Sequence, residues 1–286
     1  MDTPASGSLQ SLSGHGARPL TGRRAPPAKI MELSQVKAIV TGAGGGLGGC
    51  FARELAAAGA SVAAGDVQPA GLRDLAAAAR TLPGKILPAP LDITDEESAS
   101  AFVDTAAEQM GGLNVLINAA GIARDGLLIS PRPGGVNKLP LAQWRKVVDV
   151  NLTGQFLMVR EFAARVVTAG TLHAVVVNVS SIARAGNPGQ ANYAAAKAGL
   201  DACTRTWALE LARYGIRVGG VAPGVTATGF LAGFSQEALA RLEAATPIGR
   251  LAQPQDVWQA VRFILECDFF TGRVVEVDGG AAMGVL

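Results

Sequence analysis

Histidine is almost missing from this chain. Of 286 residues only His15 and His173 are histidines. His15 lies in a low-complexity leader, and His173 precedes an apolar run and reads as a loop residue. A Ser-His-Asp hydrolase, or a metal centre built on several histidines, has little to draw on. Tyrosine is as scarce, at Tyr193 and Tyr214. The three cysteines, Cys50, Cys203 and Cys267, stand far apart and form no CxxC pair. They indicate neither a disulfide framework nor a zinc site, and they fit a reducing compartment. No apolar run approaches the ~20 residues of a membrane span, so no membrane partner is expected. Excess positive charge is missing from the body as well. The net charge is +2, and residues 1–29 alone carry +3, from Arg18, Arg23, Arg24 and Lys29 against Asp2. Residues 30–286 are therefore at −1, with no electrostatic footprint for nucleic acid.

What is present is apolar residue, at 49%. That is enough for a large core, and the length suits one α/β domain without requiring a second. Residues 1–30 are expected to be a disordered leader, because they are rich in Ser, Gly, Pro and Arg and show no hydrophobic period. The folded domain is expected over 31–286. Prolines 19, 26 and 27 work against an amphipathic targeting helix. A cytoplasmic protein is therefore expected, with an organelle matrix as the alternative if the leader is a transit peptide.

Residues 36–41 (VKAIVT) form a short apolar, β-rich run, the first predicted strand. The run GAGGGLG follows over 42–48, then a predicted helix over 50–58 closed by Gly59. Strand, glycine turn and helix together bring backbone N–H groups and a helix N-terminus against a pyrophosphate. Gly42, Gly45, Gly46, Leu47 and Gly48 are the candidate phosphate cradle. A second strand over 61–65 ends at Asp66. An acid about 20 residues past the glycines accepts hydrogen bonds from the adenosine ribose hydroxyls. It also repels a 2′-phosphate, and Ala43, Gly44, Gly45, Val67 and Gln68 supply no cation to receive one. The expected cofactor is NAD.

Further along, helices are predicted over 70–82, 94–110, 141–165, 192–213 and 254–266. Strands are predicted over 85–91, 114–118, 174–179, 216–221 and 274–277. Residues 122–140 are Gly- and Pro-rich, show no period and are expected to be a long loop at the substrate edge. Residues 225–250 alternate small and apolar groups and are expected to be a lid. Strands alternating with helices imply a parallel sheet with right-handed crossovers. The fold class expected is α/β, a single Rossmann-type doubly wound domain with a seven-stranded parallel sheet. Tyr193 and Lys197 lie four apart on a predicted helix, hence on one face. An ammonium ion beside a phenol favours phenolate, which would lower the phenol from its reference of ~10. That makes a general acid or base of tyrosine.

In this order the motifs resemble the classical short-chain dehydrogenases/reductases, over roughly residues 33–282. The resemblance implies a catalytic set of Asn151, Ser180, Tyr193 and Lys197, with Ser180 and Tyr193 on the substrate oxygen. Gly42, Gly46 and Gly48 match the family's TGxxxGxG spacing. Asp92 and Ile93 would flank the adenine, although a helix cap is nearly as good a reading of Asp92. Asn118, Ala119 and Gly121 stand in the NNAG turn, with Ala119 in place of the second Asn. Pro223, Gly224, Thr226 and Thr228 would line the nicotinamide end, and Tyr193 and Lys197 would touch its ribose. The resemblance also implies a homotetramer or homodimer built on the helices over 141–165 and 192–213. NPGQANYAAAKAG looks most like 3-oxoacyl-carrier-protein reductases. The 122–140 loop and EVDGGAAM look more like NAD-dependent 3-hydroxyacyl-CoA dehydrogenases. With Asp66, the expected substrate is a 3-hydroxyacyl thioester. The carrier-protein reductase, or a dehydrogenase of steroids or other alcohols, is the alternative. A scaffold without turnover ranks low, because Tyr193 and Lys197 are both present.

Overall fold

The structure is a computed structural model that describes residues 30–281. The expected leader lies outside the described residues except for Ile30. Seven strands form one sheet: β1 (Lys37–Thr41), β2 (Ser61–Asp66), β3 (Lys85–Pro90), β4 (Val115–Asn118), β7 (Ala174–Val179), β8 (Ile216–Pro223) and β9 (Val274–Val277). Their spatial order is β3-β2-β1-β4-β7-β8-β9, and every pairing is parallel. The two central strands β4 and β7 read VLIN and AVVVNV and are buried along their whole length. Apolar runs of this kind belong to a parallel sheet covered on both faces.

The pleat sorts alternate residues to opposite faces. Val40, Ile117 and Val177 join one core with Phe51 of helix α1 (Gly46–Ala57), Leu72 of α2 (Pro69–Ala78) and Trp258 of α8 (Pro254–Glu266). Ile39, Leu116 and Val176 join the other. That core takes Phe102 of α3 (Glu96–Met110) and Met158 and Phe162 of α5 (Gly154–Thr168). The strand order reverses between β1 and β4. In such sheets the crevice outside this reversal, at the carboxyl ends of the strands, receives the ligand.

Three departures from the sequence reading bear on function. Helix α1 starts at Gly46, inside the glycine turn and not at residue 50. The region 141–165 is not one helix. It is α4 (Leu141–Val148), a π-helical turn (Asp149–Thr153), and α5. Residues 122–140 are not a structureless loop. They carry an antiparallel hairpin, β5 (Ile129–Arg132) with β6 (Gly135–Lys138). Each strand is four residues long, and Pro131 removes one ladder donor, so the period was too short to read. The lid region holds α7 (Gln236–Ala244), and α6 (Ala191–Leu211) carries the Tyr–Lys pair.

Candidate active site

The glycine turn after β1 is built on close approaches. Gly42 has φ +67°, and a Cβ there would stand 2.6 Å from the Cα of Ala120. A Cβ on Gly48 would stand 2.3 Å from the Gly42 carbonyl oxygen. Only glycine lets the turn fold against the β4 turn and against itself. Gly45 is the opposite case, since a Cβ there would meet nothing within 4 Å. Space therefore opens over the start of α1, where the first N–H groups lack partners within the helix. A dinucleotide pyrophosphate fits this cradle by shape and by charge.

Asp66 closes the cradle from β2. One carboxylate oxygen accepts from the Gly44 N–H at 2.9 Å, the other from the Gln68 N–H at 2.8 Å. Thr228 stands on the far side, its Cβ 3.8 Å from where a Gly46 Cβ would lie. Thr226 is buried, donates to the Gly224 carbonyl at 3.1 Å and bridges to Ala252. Gly224 follows Pro223, which pairs with Val277. Leu47 follows the cradle as the second residue of α1.

The β4 turn is fixed from below. The buried Thr41 hydroxyl oxygen accepts from the N–H groups of both Ala119 and Ala120 at 3.1 Å. These bonds are to backbone, so an alanine at 119 leaves the turn intact. The Asn118 side chain turns into the sheet, donating to Asn178 Oδ1 at 3.0 Å. Asn178 in turn donates to Thr204 on α6 at 2.9 Å. Gly121 must lack a side chain, because a Cβ would lie 2.8 Å from Asn151 Oδ1. Asp92 and Ile93 take structural partners. The Asp92 carboxylate accepts twice from Thr94, which holds it below its ordinary range. Ile93 is core, packed on Gly154. The cap of α3 is Asp95, not Asp92.

Asn151 sits fully buried in the π-helical turn. Its amide holds the Ile122 backbone at both ends, accepting from the N–H at 3.0 Å and donating to the carbonyl at 2.7 Å. On α6, Lys197 is 3% exposed and donates to the Val179 carbonyl at 2.7 Å. Its Nζ lies 5.7 Å from the centre of the Tyr193 ring. Burial pushes the Lys197 ammonium down to about 8, against an opposing pull from Asp201. The Tyr193 phenol moves in the direction opposite to the sequence expectation. Burial raises it, and Asp125 raises it further, while a hydrogen bond with Ser181 works the other way. The reason is that desolvation of the phenolate dominates in the chain alone.

The two serines after β7 exchange places relative to the sequence reading. Ser180 is buried, and its hydroxyl donates to Asp201 at 2.5 Å. Ser181, not Ser180, meets the Tyr193 hydroxyl. The pleat explains this. Asn178 and Ser180 are two apart and face α6 together, while Ser181 lies past the strand end, where its hydroxyl oxygen accepts from the Ala183 N–H at 3.1 Å and meets Tyr193. Thr41, the first residue of the TGxxxGxG run, and Asp125 and Asp201, which no motif singled out, also make contacts here.

A family described as Enoyl-(Acyl carrier protein) reductase matches residues 42–282. The cis-4-hydroxycyclohexanecarboxylate dehydrogenase of Sinomonas cyclohexanicum is 41% identical over 85% of this chain and 95% of its own. The 3-oxoacyl-[acyl-carrier-protein] reductase of Thermotoga maritima is 36% identical over 87% and 99%. The (3R)-3-hydroxyacyl-CoA dehydrogenase of Rattus norvegicus is 34% identical over 90% and 100%. Among solved structures, a short-chain type dehydrogenase/reductase from Mycobacterium marinum superposes with a TM-score of 0.80 at 26% identity, over 87% of this chain and 96% of that one. With a glycine cradle at the strand-order reversal and Tyr193 and Lys197 one turn apart on α6, the chain belongs to the short-chain dehydrogenase/reductase family, as an oxidoreductase that interconverts a secondary alcohol and its ketone.

Proposed function

We propose that this enzyme is an NAD(H)-dependent dehydrogenase of 3-hydroxyacyl thioesters. The observation that carries the cofactor choice is Asp66. Its carboxylate is locked onto the glycine turn by Gly44 and presents a negative charge where a 2′-phosphate would have to sit. The Gly42–Gly48 turn, Asp66, Thr226, Thr228 and Lys197 are the residues that would hold the dinucleotide. When bound, the nicotinamide supplies the hydride chemistry.

The chain's own residues move the proton and hold the substrate. Ser181 hydrogen-bonds the reacting oxygen. Tyr193 takes the hydroxyl proton on oxidation and returns it on reduction. The Lys197 ammonium stabilises the phenolate that forms each time Tyr193 gives its proton up. Asn151 holds Ile122 and the wall of the groove in place. A thioester is favoured by two relatives that act on acyl thioesters and by Asp125, whose charge reaches Tyr193. A free carboxylate drawn close to the reacting carbon would be repelled there. The second reading is a hydroxylated ring acid, favoured by the 41% relative.

Initial rates with 3-hydroxyacyl-CoA of several chain lengths and with cis-4-hydroxycyclohexanecarboxylate, each with NAD and NADP, test the proposal. A higher kcat/KM for a thioester with NAD is expected. Asp66→Ala should relax the cofactor preference. Equal efficiency with NADP in the natural protein overturns the cofactor choice, and a preference for the ring acid overturns the substrate.

A further inference from the structure

The end of β7 is fastened to helix α6 by two rungs. Lys197 Nζ donates to the carbonyl of Val179 at 2.7 Å, and the Ser180 hydroxyl donates to Asp201 Oδ1 at 2.5 Å. Lys197 and Asp201 are four apart, one helical turn, so they stack on one face with Tyr193 one turn before them. The next residue of the strand end is Ser181, which meets Tyr193. The second rung is charge-assisted, which makes it short and strong. Asp201 is 7% exposed. Its other oxygen is paired with Arg184 Nε at 3.0 Å, from the short 3-10 turn that follows Ser181. Arg184 continues to Glu276 on the edge strand β9 at 2.6 Å, and its Nη1 is buried without a partner. A buried, partly satisfied ionic chain of this kind is costly to keep for packing alone.

We propose that Asp201 is a positioning residue of the active site. It ties the Ser180–Ser181 turn to α6 and supplies the counter-charge that keeps the buried Lys197 an ammonium ion. The proposal rests on the function assigned above. The groups that face this pair are Tyr193 and Asp201 on α6, Ser180 on the strand end, Arg184 on the turn, and Asp125 and Glu276 at the periphery. Asp201 has the sign that opposes the desolvation of Lys197, and Arg184 moderates it.

The sign of the effect follows. In ketone reduction Tyr193 donates a proton, and the phenolate left behind needs the ammonium beside it. The falling limb of kcat/KM with pH therefore tracks loss of the Lys197 proton, which sits at about 8. Asp201→Asn removes the negative charge, so the limb should move to lower pH, by about 1 unit. Arg184→Gln leaves Asp201 and Glu276 less neutralised, so the limb should move to higher pH. Loosening the Ser181 turn should also lower kcat in Asp201→Asn by up to about 10²-fold, with KM nearly unchanged.

The test is the pH profile of reduction for the full-length natural protein and both variants. Opposite shifts support the proposal. An unmoved limb in Asp201→Asn overturns it, even if the rate falls, because a purely structural residue lowers the rate at every pH. Should Asp201→Asn fail to fold, the double variant Asp201→Asn/Arg184→Gln leaves no guanidinium stranded. It should then show the downward shift. Tyr193→Phe separates the two claims. If it keeps the natural rate, the assigned function falls. If it loses the rate while the limbs stay fixed, only the role of Asp201 falls.

Discussion

Two regions at the carboxyl ends of the sheet strands, an enclosed inner wall and an exposed outer wall, are made differently. The inner wall is β7 and α6. There Ser180, Lys197 and Asp201 are buried, and Asn151 is fully enclosed behind them. The outer wall is the hairpin and the segment around α7. There Leu128 is 69% exposed and Ile129 62%, α7 buries no side chain, and Phe234 and Ile248 are open. The inner wall holds Tyr193 and Lys197, to which the proposed function assigns proton chemistry, and such chemistry depends on charges held in place out of water. The outer wall carries apolar surface with little of it committed to the core. On the proposed function, the difference assigns chemistry and substrate choice to separate parts of this molecule, each open to perturbation without the other.

The largest effect should come from the inner wall. Tyr193→Phe keeps the ring and loses one hydroxyl. Positioned acid–base catalysis is worth typically ~10²–10⁴-fold. Single-turnover hydride transfer at saturating cofactor should fall by about that factor, with cofactor affinity and thermal midpoint unchanged. Near-normal transfer would show that Tyr193 is not the proton carrier and would break the comparison at its centre. The pH dependence has a fixed sign. Burial raises the phenol in the free enzyme, so oxidation, which needs a base, should gain rate with rising pH. That gain should vanish in Tyr193→Phe.

The paired serines give a smaller and sharper contrast. Ser181→Ala should cost activity with little stability, because Ser181 lies past the strand end and meets Tyr193. Ser180→Ala should cost stability, by about 1–3 kcal/mol, since it leaves the buried Asp201 carboxylate one partner short. Rates and denaturant midpoints of both variants decide between them. If Ser180→Ala alone abolishes turnover while folding normally, the two serines are to be exchanged again.

The sequence made the inner wall legible because its signals are local. Tyr193 and Lys197 are one helical turn apart, and β7 is an unbroken apolar run. The glycine turn could be read because at Gly42 and Gly48 a Cβ has no room. Seven strands were legible for the same reason, with β9 and α8 recovered to the residue. What the sequence hid is what long-range partners decide. Ser180 and Ser181 are chemically alike, and only the pleat and Asp201, 21 residues on, tell them apart. The direction of the Tyr193 shift depends on burial, which helix spacing does not contain. The hairpin was hidden because its strands face solvent and bury almost nothing.

That hairpin offers the mildest test, on the outer wall. The Leu139 N–H donates to the Leu128 carbonyl at 3.0 Å, so the chain is already closed at the hairpin base. Residues 129–138 can therefore be replaced by Asn-Gly, a turn that joins adjacent antiparallel ends without strain. The removed segment leaves the core intact, and surface changes of this kind usually stay within about 0.5 kcal/mol. In a domain of this size that is a shift of about 1–2 °C in thermal midpoint. Ile129, Pro131 and Val136 share one exposed face, as the register of the ladder requires. Losing that face should raise KM for long acyl chains by about 10-fold, which corresponds to roughly 1.4 kcal/mol of binding. kcat and the pH profile should be unchanged, because nothing on the inner wall touches residues 129–138 in the contacts that hold Tyr193 and Lys197. Short-chain substrates should show the smaller change. A fall in kcat, or a loss of several degrees in the midpoint, would mean that the hairpin supports the catalytic wall, and the separation of chemistry from substrate choice would fail.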